Sequence, residues 1–245
     1  EIRLSLVGSE MCIRDSGVFI PYAGVVYDLD EIWSVYTSYT SIFNPQASWV
    51  RSEDNKPLDP MEGKGYEVGI KGSHFDGRLN SSLALYKLQQ DNLAIWKHDN
   101  VYSAEQDTTS KGVELEFNGD LAEGWQASAG YTYSVTTNAD NQRINTGLPR
   151  NSFKTFSSYR LHGPLDKLTV GGGINWQSKV GNDLHTFTQG SYAVTNLMAR
   201  YDISRNLSAS LNLNNLFDRE YYSNAGLYGN YGAPRNLMTS FKYSF

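Results

Sequence analysis

The chain has 245 residues, with 21 Lys and Arg against 26 Asp and Glu, and therefore a formal net charge of −5. This balance does not favour a nucleic-acid partner, since no excess of positive charge is present. Aromatic residues make up 13% of the chain, which excludes an intrinsically disordered polypeptide. No apolar run approaches the roughly 18 to 20 residues of a membrane-spanning helix, so a helical membrane protein is excluded. A membrane β-barrel is not, because its strands alternate in polarity.

Residues 1–16 differ in character from the rest and contain neither an initiator Met nor a recognisable signal peptide. We interpret them as a non-native leader, of the kind produced by read-through of a sequencing adapter, with a genuine irregular terminus as the alternative. Residues 17–245 then form the structured domain, and the protein begins upstream of the given sequence.

From residue 17 onward, apolar and polar residues alternate, which is the pattern of β-strands whose two faces meet different surroundings. The clearest case runs from Trp125 to Thr136, where one face is wholly apolar and the other small or polar. We predict about eleven strands, many of them longer than those of soluble sheets. They are 18–29, 32–43, 65–72, 79–90, 112–118, 125–136, 152–162, 168–177, 191–202, 207–214 and 237–245.

The connections between these strands alternate between short and long. Short polar turns are predicted at 28–31, 74–77, 119–124, 163–166 and 204–206, and long segments at 44–63, 92–108, 138–150, 179–190 and 218–235. In an up-and-down meander this order places every tight turn at one end, as in outer-membrane barrels. A Greek-key sandwich would not produce it.

Charged residues of the clearer strands keep to the polar face, where a water-filled interior tolerates them better than lipid does. These are Glu67, Lys71, Glu114, Glu116, Lys154, Arg160, Arg200 and Lys242. The predicted fold is therefore an all-β, antiparallel, up-and-down transmembrane β-barrel. Eleven strands would leave two unpaired edges in hydrocarbon, so we interpret the chain as the C-terminal half of a barrel of about 22 strands, a width typical of plugged transporters.

Several stretches, taken in order, resemble the C-terminal half of TonB-dependent siderophore receptors of Gram-negative outer membranes, with ferric-hydroxamate and ferric-pyoverdine receptors nearest. They are 21–29 (PYAGVVYDL), 34–39 (SVYTSY), 43–46 (FNPQ), 64–71 (KGYEVGIK), 111–116 (KGVELE), 130–133 (GYTY), 214–218 (NNLFD), 221–222 (YY) and 231–236 (YGAPRN). The resemblance covers nearly everything from residue 17 onward.

The resemblance implies a 22-stranded barrel with an N-terminal plug domain and a TonB-contacting segment, neither of which is in this sequence. It implies a monomer in the bacterial outer membrane that binds a ferric siderophore as cargo and is energised through the TonB complex. The closing strand, ending in Phe245, resembles the signal read by the barrel-assembly machinery.

Binding such a cargo requires molecular recognition, without making or breaking a covalent bond. Rigid aromatic rings with polar tips suit this task. We predict ligand contacts from the long segments, first Tyr228, then Tyr231 and Trp96, and after them Tyr222 and Trp49. The alternative is that these rings pack loop against loop or belong to the aromatic girdle.

We predict no enzymatic activity, cofactor or metal site. The single cysteine, Cys12, cannot form an internal disulfide, and the four histidines lack zinc-ligand spacing. Glu114 and Glu116 have the spacing of acid–base partners, but a solvated pair facing the interior is the favoured interpretation. No nucleophile motif is present.

Four rival functions stay open at this point. An outer-membrane porin would share the turns and loops. An outer-membrane hydrolase would need a Ser/His constellation, and we find none in the sequence. A soluble adhesin or lectin would have a β-sheet without a membrane. A TonB-dependent receptor could also carry haem, cobalamin or a nickel chelate.

Overall fold

The fold was described from a computed structural model, which covers residues 17–144, 147–181, 187–225 and 229–245. Apart from one 3-10 turn at Gly163–Leu165, the regular structure in these ranges is entirely β, in eighteen strands. No helix in the same ranges has the length and apolar character needed to cross a membrane. Residues 1–16, which include Cys12, and the predicted contact Tyr228 lie outside the described residues.

The strands differ widely in length, from two residues to fifteen. They are β1 (Tyr22–Asp28), β2 (Trp33–Asn44), β3 (Met61–His74), β4 (Leu79–Asp91), β5 (Leu93–His98), β6 (Val101–Glu105), β7 (Thr108–Ala122), β8 (Trp125–Thr137), β9 (Arg143–Ile144), β10 (Asn151–Arg160), β11 (Leu168–Gln177), β12 (Val180–Gly181), β13 (Thr188–Gln189), β14 (Tyr192–Asp202), β15 (Leu207–Asn214), β16 (Tyr222–Ala225), β17 (Gly229–Tyr231) and β18 (Asn236–Tyr243).

Eleven of the described strands follow one another in a single sheet, in the order β1-β2-β3-β4-β7-β8-β10-β11-β14-β15-β18, and β9 pairs with β8 off this path. The prediction of an antiparallel, up-and-down arrangement of eleven strands is therefore confirmed. Because neighbours in the sheet are also neighbours along the chain, the short connections follow one end of the strands and the long ones the other.

The predicted bounds were wrong in two places for which the pairing gives a reason. The long segments at 92–108, 179–190 and 218–235 are not plain loops, because each contains strands of a small hairpin, β5-β6, β12-β13 and β16-β17. The last strand ends at Tyr243 and not at Phe245. Its partner β15 begins at Leu207, opposite Tyr243, and the next residue, Ser244, bonds in the same register to Asn206 of the turn before β15.

Contacts divide the chain into two compact units. The first comprises Glu1–Ile70, Ala84–Lys111 and Thr136–Gln142. Within it, β1 and β2 pair from Tyr22↔Thr40 to Asp28↔Ser34. The predicted turn between them forms because the Asp30 carboxylate accepts the backbone N–H groups of Ile32 (2.8 Å) and Trp33 (2.7 Å). The Tyr36 hydroxyl donates to the carboxylate of Glu67.

The second unit comprises Lys71–Leu83, Gly112–Val135 and Arg143–Phe245. Its strand register confirms the predicted polar face for four cations. Lys154 lies opposite Asn175, and Lys242 lies opposite Ser208. Thr169 lies between Arg160 and Arg200 and is paired with both. Because directly paired residues share a face of the sheet, these four charges lie on one face, which also carries Asn, Ser and Thr side chains.

The opposite face of the second unit is apolar and uncovered. Leu237 is 61% exposed and Phe241 71%, and Ile174, Leu197 and Leu211 on neighbouring strands are also exposed. In the described ranges only three hydrophobic residues are fully buried, Val50, Ala84 and Val180. A sandwich would have buried this face against a second layer; an outward-facing lipid surface has no such layer.

Candidate functional site

The candidate site lies at the long-connection end of the second unit, where five aromatic residues form what we call the tyrosine cluster. The stacked pair Tyr222 and Tyr231 has ring centroids 4.5 Å apart, and Phe187 meets Tyr222 edge-on at 4.8 Å. A second stacked pair joins Tyr192, at the start of β14, to Tyr221 at 4.5 Å. Contacts of this kind hold aromatic surfaces rigid before any ligand arrives.

The pair Tyr222 and Tyr231 is fixed by the β16-β17 hairpin, in which the two residues lie directly opposite each other. The Tyr222 hydroxyl donates to the Tyr231 hydroxyl at 3.1 Å, and the Tyr222 backbone N–H donates to the Gln189 side chain at 3.0 Å. The hydrogen bond to Tyr231 raises the pKa of Tyr222 above its ordinary value, with smaller contributions from burial and from the neighbouring phenol. The Tyr222 hydroxyl therefore stays neutral near pH 7, where it can donate a hydrogen bond.

Asn215, which is only 3% exposed, anchors the connection that carries these tyrosines. Its backbone adopts a left-handed conformation with φ of 51°, which Asn tolerates better than most residues. Its Nδ2 donates to the carbonyls of Arg219 (2.9 Å) and Ala233 (3.1 Å), and its Oδ1 accepts the N–H of Arg219 (2.8 Å). One side chain thus ties both ends of the 215–235 connection together.

Below this connection, a cavity of about 240 Å³ opens at the ends of β10, β11, β14, β15 and β18. We call it the amide pocket, because Asn and Gln side chains dominate its lining. It is lined by Ser152, Lys154, Asn175, Trp176, Gln177, Tyr192, Val194, Asn196, Asn214, Asn215, Tyr221, Ala233 and Asn236. The second stacked tyrosine pair therefore forms part of its wall.

Two further predicted contacts, Trp49 and Trp96, lie in the first unit. Trp49 is 65% exposed and meets Tyr102 edge-on, with ring centroids 6.1 Å apart. Tyr102 is held by its backbone N–H, which donates to the Arg51 carbonyl at 2.8 Å. Trp96, in strand β5, donates its indole N–H to the Asp99 carbonyl at 2.8 Å, across the turn of the β5-β6 hairpin.

The structure thus brings Tyr222 and Tyr231 together and sets Trp49 beside Tyr102, while Trp96 contacts its own turn. That any of them contacts a ligand stays a prediction, and Tyr228 lies outside the described residues. Sequence reasoning missed Phe187, Tyr192 and Asn215. Tyr192 was counted as an ordinary strand residue, and Asn215 was noted only within the stretch 214–218.

Comparisons with known proteins place this geometry in a family. Residues 10–216 match the family model described as TonB dependent receptor-like, beta-barrel. The chain is similar to the ferric-pyoverdine BN7/BN8 receptor of Pseudomonas putida, with 78% identity over 97% of this chain and 29% of that receptor. It is also 44% identical to the ferripyoverdine receptor of Pseudomonas aeruginosa, over 98% of this chain and 32% of the receptor.

Solved structures of outer-membrane receptors also match this chain. The ferripyoverdine receptor of the outer membrane of Pseudomonas aeruginosa, bound to ferripyoverdine, matches with a TM-score of 0.81 and 43% identity, over 95% of this chain and 34% of that one. The alcaligin outer-membrane receptor of Bordetella pertussis matches with a TM-score of 0.67 and 36% identity, over 92% and 36%.

The chain spans about a third of the length of these relatives. The relatives are transport receptors and not enzymes. The family match extends over most of the chain, and eleven of the described strands follow one another in one antiparallel sheet, as expected of this family's barrel domain. The chain therefore belongs to the TonB dependent receptor-like β-barrel family, whose members lie in the outer membrane of Gram-negative bacteria.

Proposed function

We propose that the receptor containing this chain binds a ferric siderophore, of the pyoverdine class, and imports it with energy delivered through the TonB complex. The chain supplies barrel strands and the long connections that contact the ligand. The observation that carries the proposal is the 78% identity to a ferric-pyoverdine receptor over 97% of this chain, which includes the whole tyrosine cluster.

The physical task of such a receptor is to recognise a bulky chelate without making or breaking a covalent bond, so no enzymatic activity and no cofactor belong to the proposal. Stacked phenols offer a large apolar area at low entropic cost, and their hydroxyls remain available for hydrogen bonds. Within the proposal, Tyr222 and Tyr231 of the second unit contact the ligand. Trp49 and Trp96 of the first unit are contacts proposed from the sequence. Tyr228 is a further contact proposed from the sequence.

Further partners belong to the same proposal. The uncovered apolar face contacts outer-membrane lipid, and the C-terminal residues up to Phe245 are read by the barrel-assembly machinery. The complete receptor is a monomer, because one closed barrel leaves no strand edge to pair with a second copy.

The test uses the complete receptor produced in a strain that lacks its own ferric-pyoverdine receptors. We expect saturable binding of ferric pyoverdine and uptake of labelled iron that stops when TonB is deleted. Passive ion conductance together with TonB-independent uptake would indicate a porin and refute the proposal. Binding of haem, cobalamin or a nickel chelate in place of the ferric siderophore would assign another cargo.

The ligand contacts are tested by Tyr231→Ala, with Tyr231→Phe as the matched control. Removing the ring removes one partner of the stacked pair and should weaken ferric-pyoverdine binding by about tenfold. The control keeps the ring and should lose much less. Unchanged affinity in a Tyr231→Ala receptor that assembles in the outer membrane would remove Tyr231 from the site.

A further inference from the structure

The amide pocket contains a positive charge, that of Lys154, which no described carboxylate neutralises. Lys154 lines it from β10 and lies directly opposite Asn175 of β11. Neither Asp nor Glu is among the described residues that line the pocket. Among the described residues, no carboxylate lies within the 4.0 Å of an ion pair with Lys154. Glu116, which shares a neighbouring depression with Lys154, makes no such pair either.

The amides that line the pocket with Lys154 fall into two groups. The first group already makes hydrogen bonds that hold the connection above the pocket. Asn196 Oδ1 accepts the Asn215 N–H, and Asn214 Nδ2 donates to Asn236 Oδ1.

By contrast, the side chains of Asn175 and Gln177 make no hydrogen bond to any other described residue. The Lys154 ammonium and these two carboxamides offer several donors, and no described lining residue supplies a competing negative charge. A carboxylate, which accepts through two oxygens, is the complementary group.

We propose that the amide pocket recognises a carboxylate on the siderophore, with Lys154 as its charged partner and with Asn175 and Gln177 as hydrogen-bond donors. This inference rests on the proposed function and adds to it the chemical group that the receptor distinguishes. The pocket lies at the long-connection end of the strands, beside the stacked pair of Tyr192 and Tyr221. A chelate held by the aromatic cluster can therefore extend an acidic arm into it.

The experiment compares two ferric pyoverdine preparations that differ in one group, a free side-chain carboxylate in one and the primary amide in the other. The complete wild-type receptor should bind the carboxylate form about tenfold more tightly, because a hydrogen bond to a charged group is worth more than a neutral one. The preference should shrink as the salt concentration rises. Lys154→Gln should abolish the preference while leaving the affinity for the amide form nearly unchanged.

Two variants serve as controls. Lys154→Arg keeps the charge and should keep the preference. Lys242→Gln removes a cation from the same polar face at the short-turn end, where it lines a different depression, and should leave both affinities unaltered.

The inference is overturned if the wild-type receptor does not distinguish the two chelates, or if Lys154→Gln weakens both to the same extent, since that would indicate a structural role. The wild-type comparison requires no variant and stands even if Lys154→Gln fails to assemble. If neither chelate binds to the wild-type receptor, the proposed function falls as well.

Discussion

Replacing Asn215 tests whether one buried side chain holds the 215–235 connection in place. Asn215→Ala removes three hydrogen bonds, two donated to the carbonyls of Arg219 and Ala233 and one accepted from the Arg219 N–H. At about 1 kcal/mol each, their loss costs about 3 kcal/mol. Holding Ala at the φ of 51° adds about 1 kcal/mol. The connection should therefore open about a hundred- to a thousandfold more often.

The assay is hydrogen exchange of backbone amides in the complete receptor, because exchange reports local opening that global unfolding would hide. The Arg219 amide should lose its protection, and amides of the β14-β15 pairing should not. Two matched variants separate the contributions. Asn215→Gly tolerates the left-handed backbone but loses all three bonds, whereas Asn215→Asp keeps the acceptor and loses both donors. If Asn215→Gly exchanges like the wild-type receptor, the side chain does not anchor the connection and the reasoning fails.

Two further predictions concern a titration and a close approach of backbones. The pKa of Tyr222 is raised by its hydrogen bond to Tyr231, so the bond's stabilisation should be present below pH 10 and lost as the pH rises through the raised pKa. Tyr231→Phe should return the pKa of Tyr222 toward its ordinary value in an ultraviolet titration, and no change would show that the bond is absent. Gly171→Ala would place a methyl group 2.7 Å from the Ser157 carbonyl oxygen, whereas Gly190→Ala would meet nothing within 4 Å. The first should lower the urea midpoint of the folded receptor measurably and the second should not, and equal midpoints would contradict the close approach.

The sequence identified some residues of the candidate site, but it did not predict contacts that depend on how strands and connections pair. Tyr222 and Tyr231 were both identified as candidates from their composition and position, but their stacking follows from the register of the β16-β17 hairpin. Phe187 was not identified, since nothing near it in the sequence indicates that it meets Tyr222, 35 positions away. In the sequence, Asn215 is one polar residue after a strand. Only the structure shows that its side chain donates to the Ala233 carbonyl.

The amino-acid sequence alone determined the number and order of the long strands and the shared face of Lys154, Arg160, Arg200 and Lys242. It could do so because the two faces of each strand meet environments of opposite polarity. Apolar and polar residues therefore alternate along the strand with a period of two. The tertiary structure alone decided where β18 ends, which rings stack and which amides line the pocket with Lys154. Those outcomes depend on side chains that the sheet brings together from distant parts of the chain, and local sequence does not encode such distances.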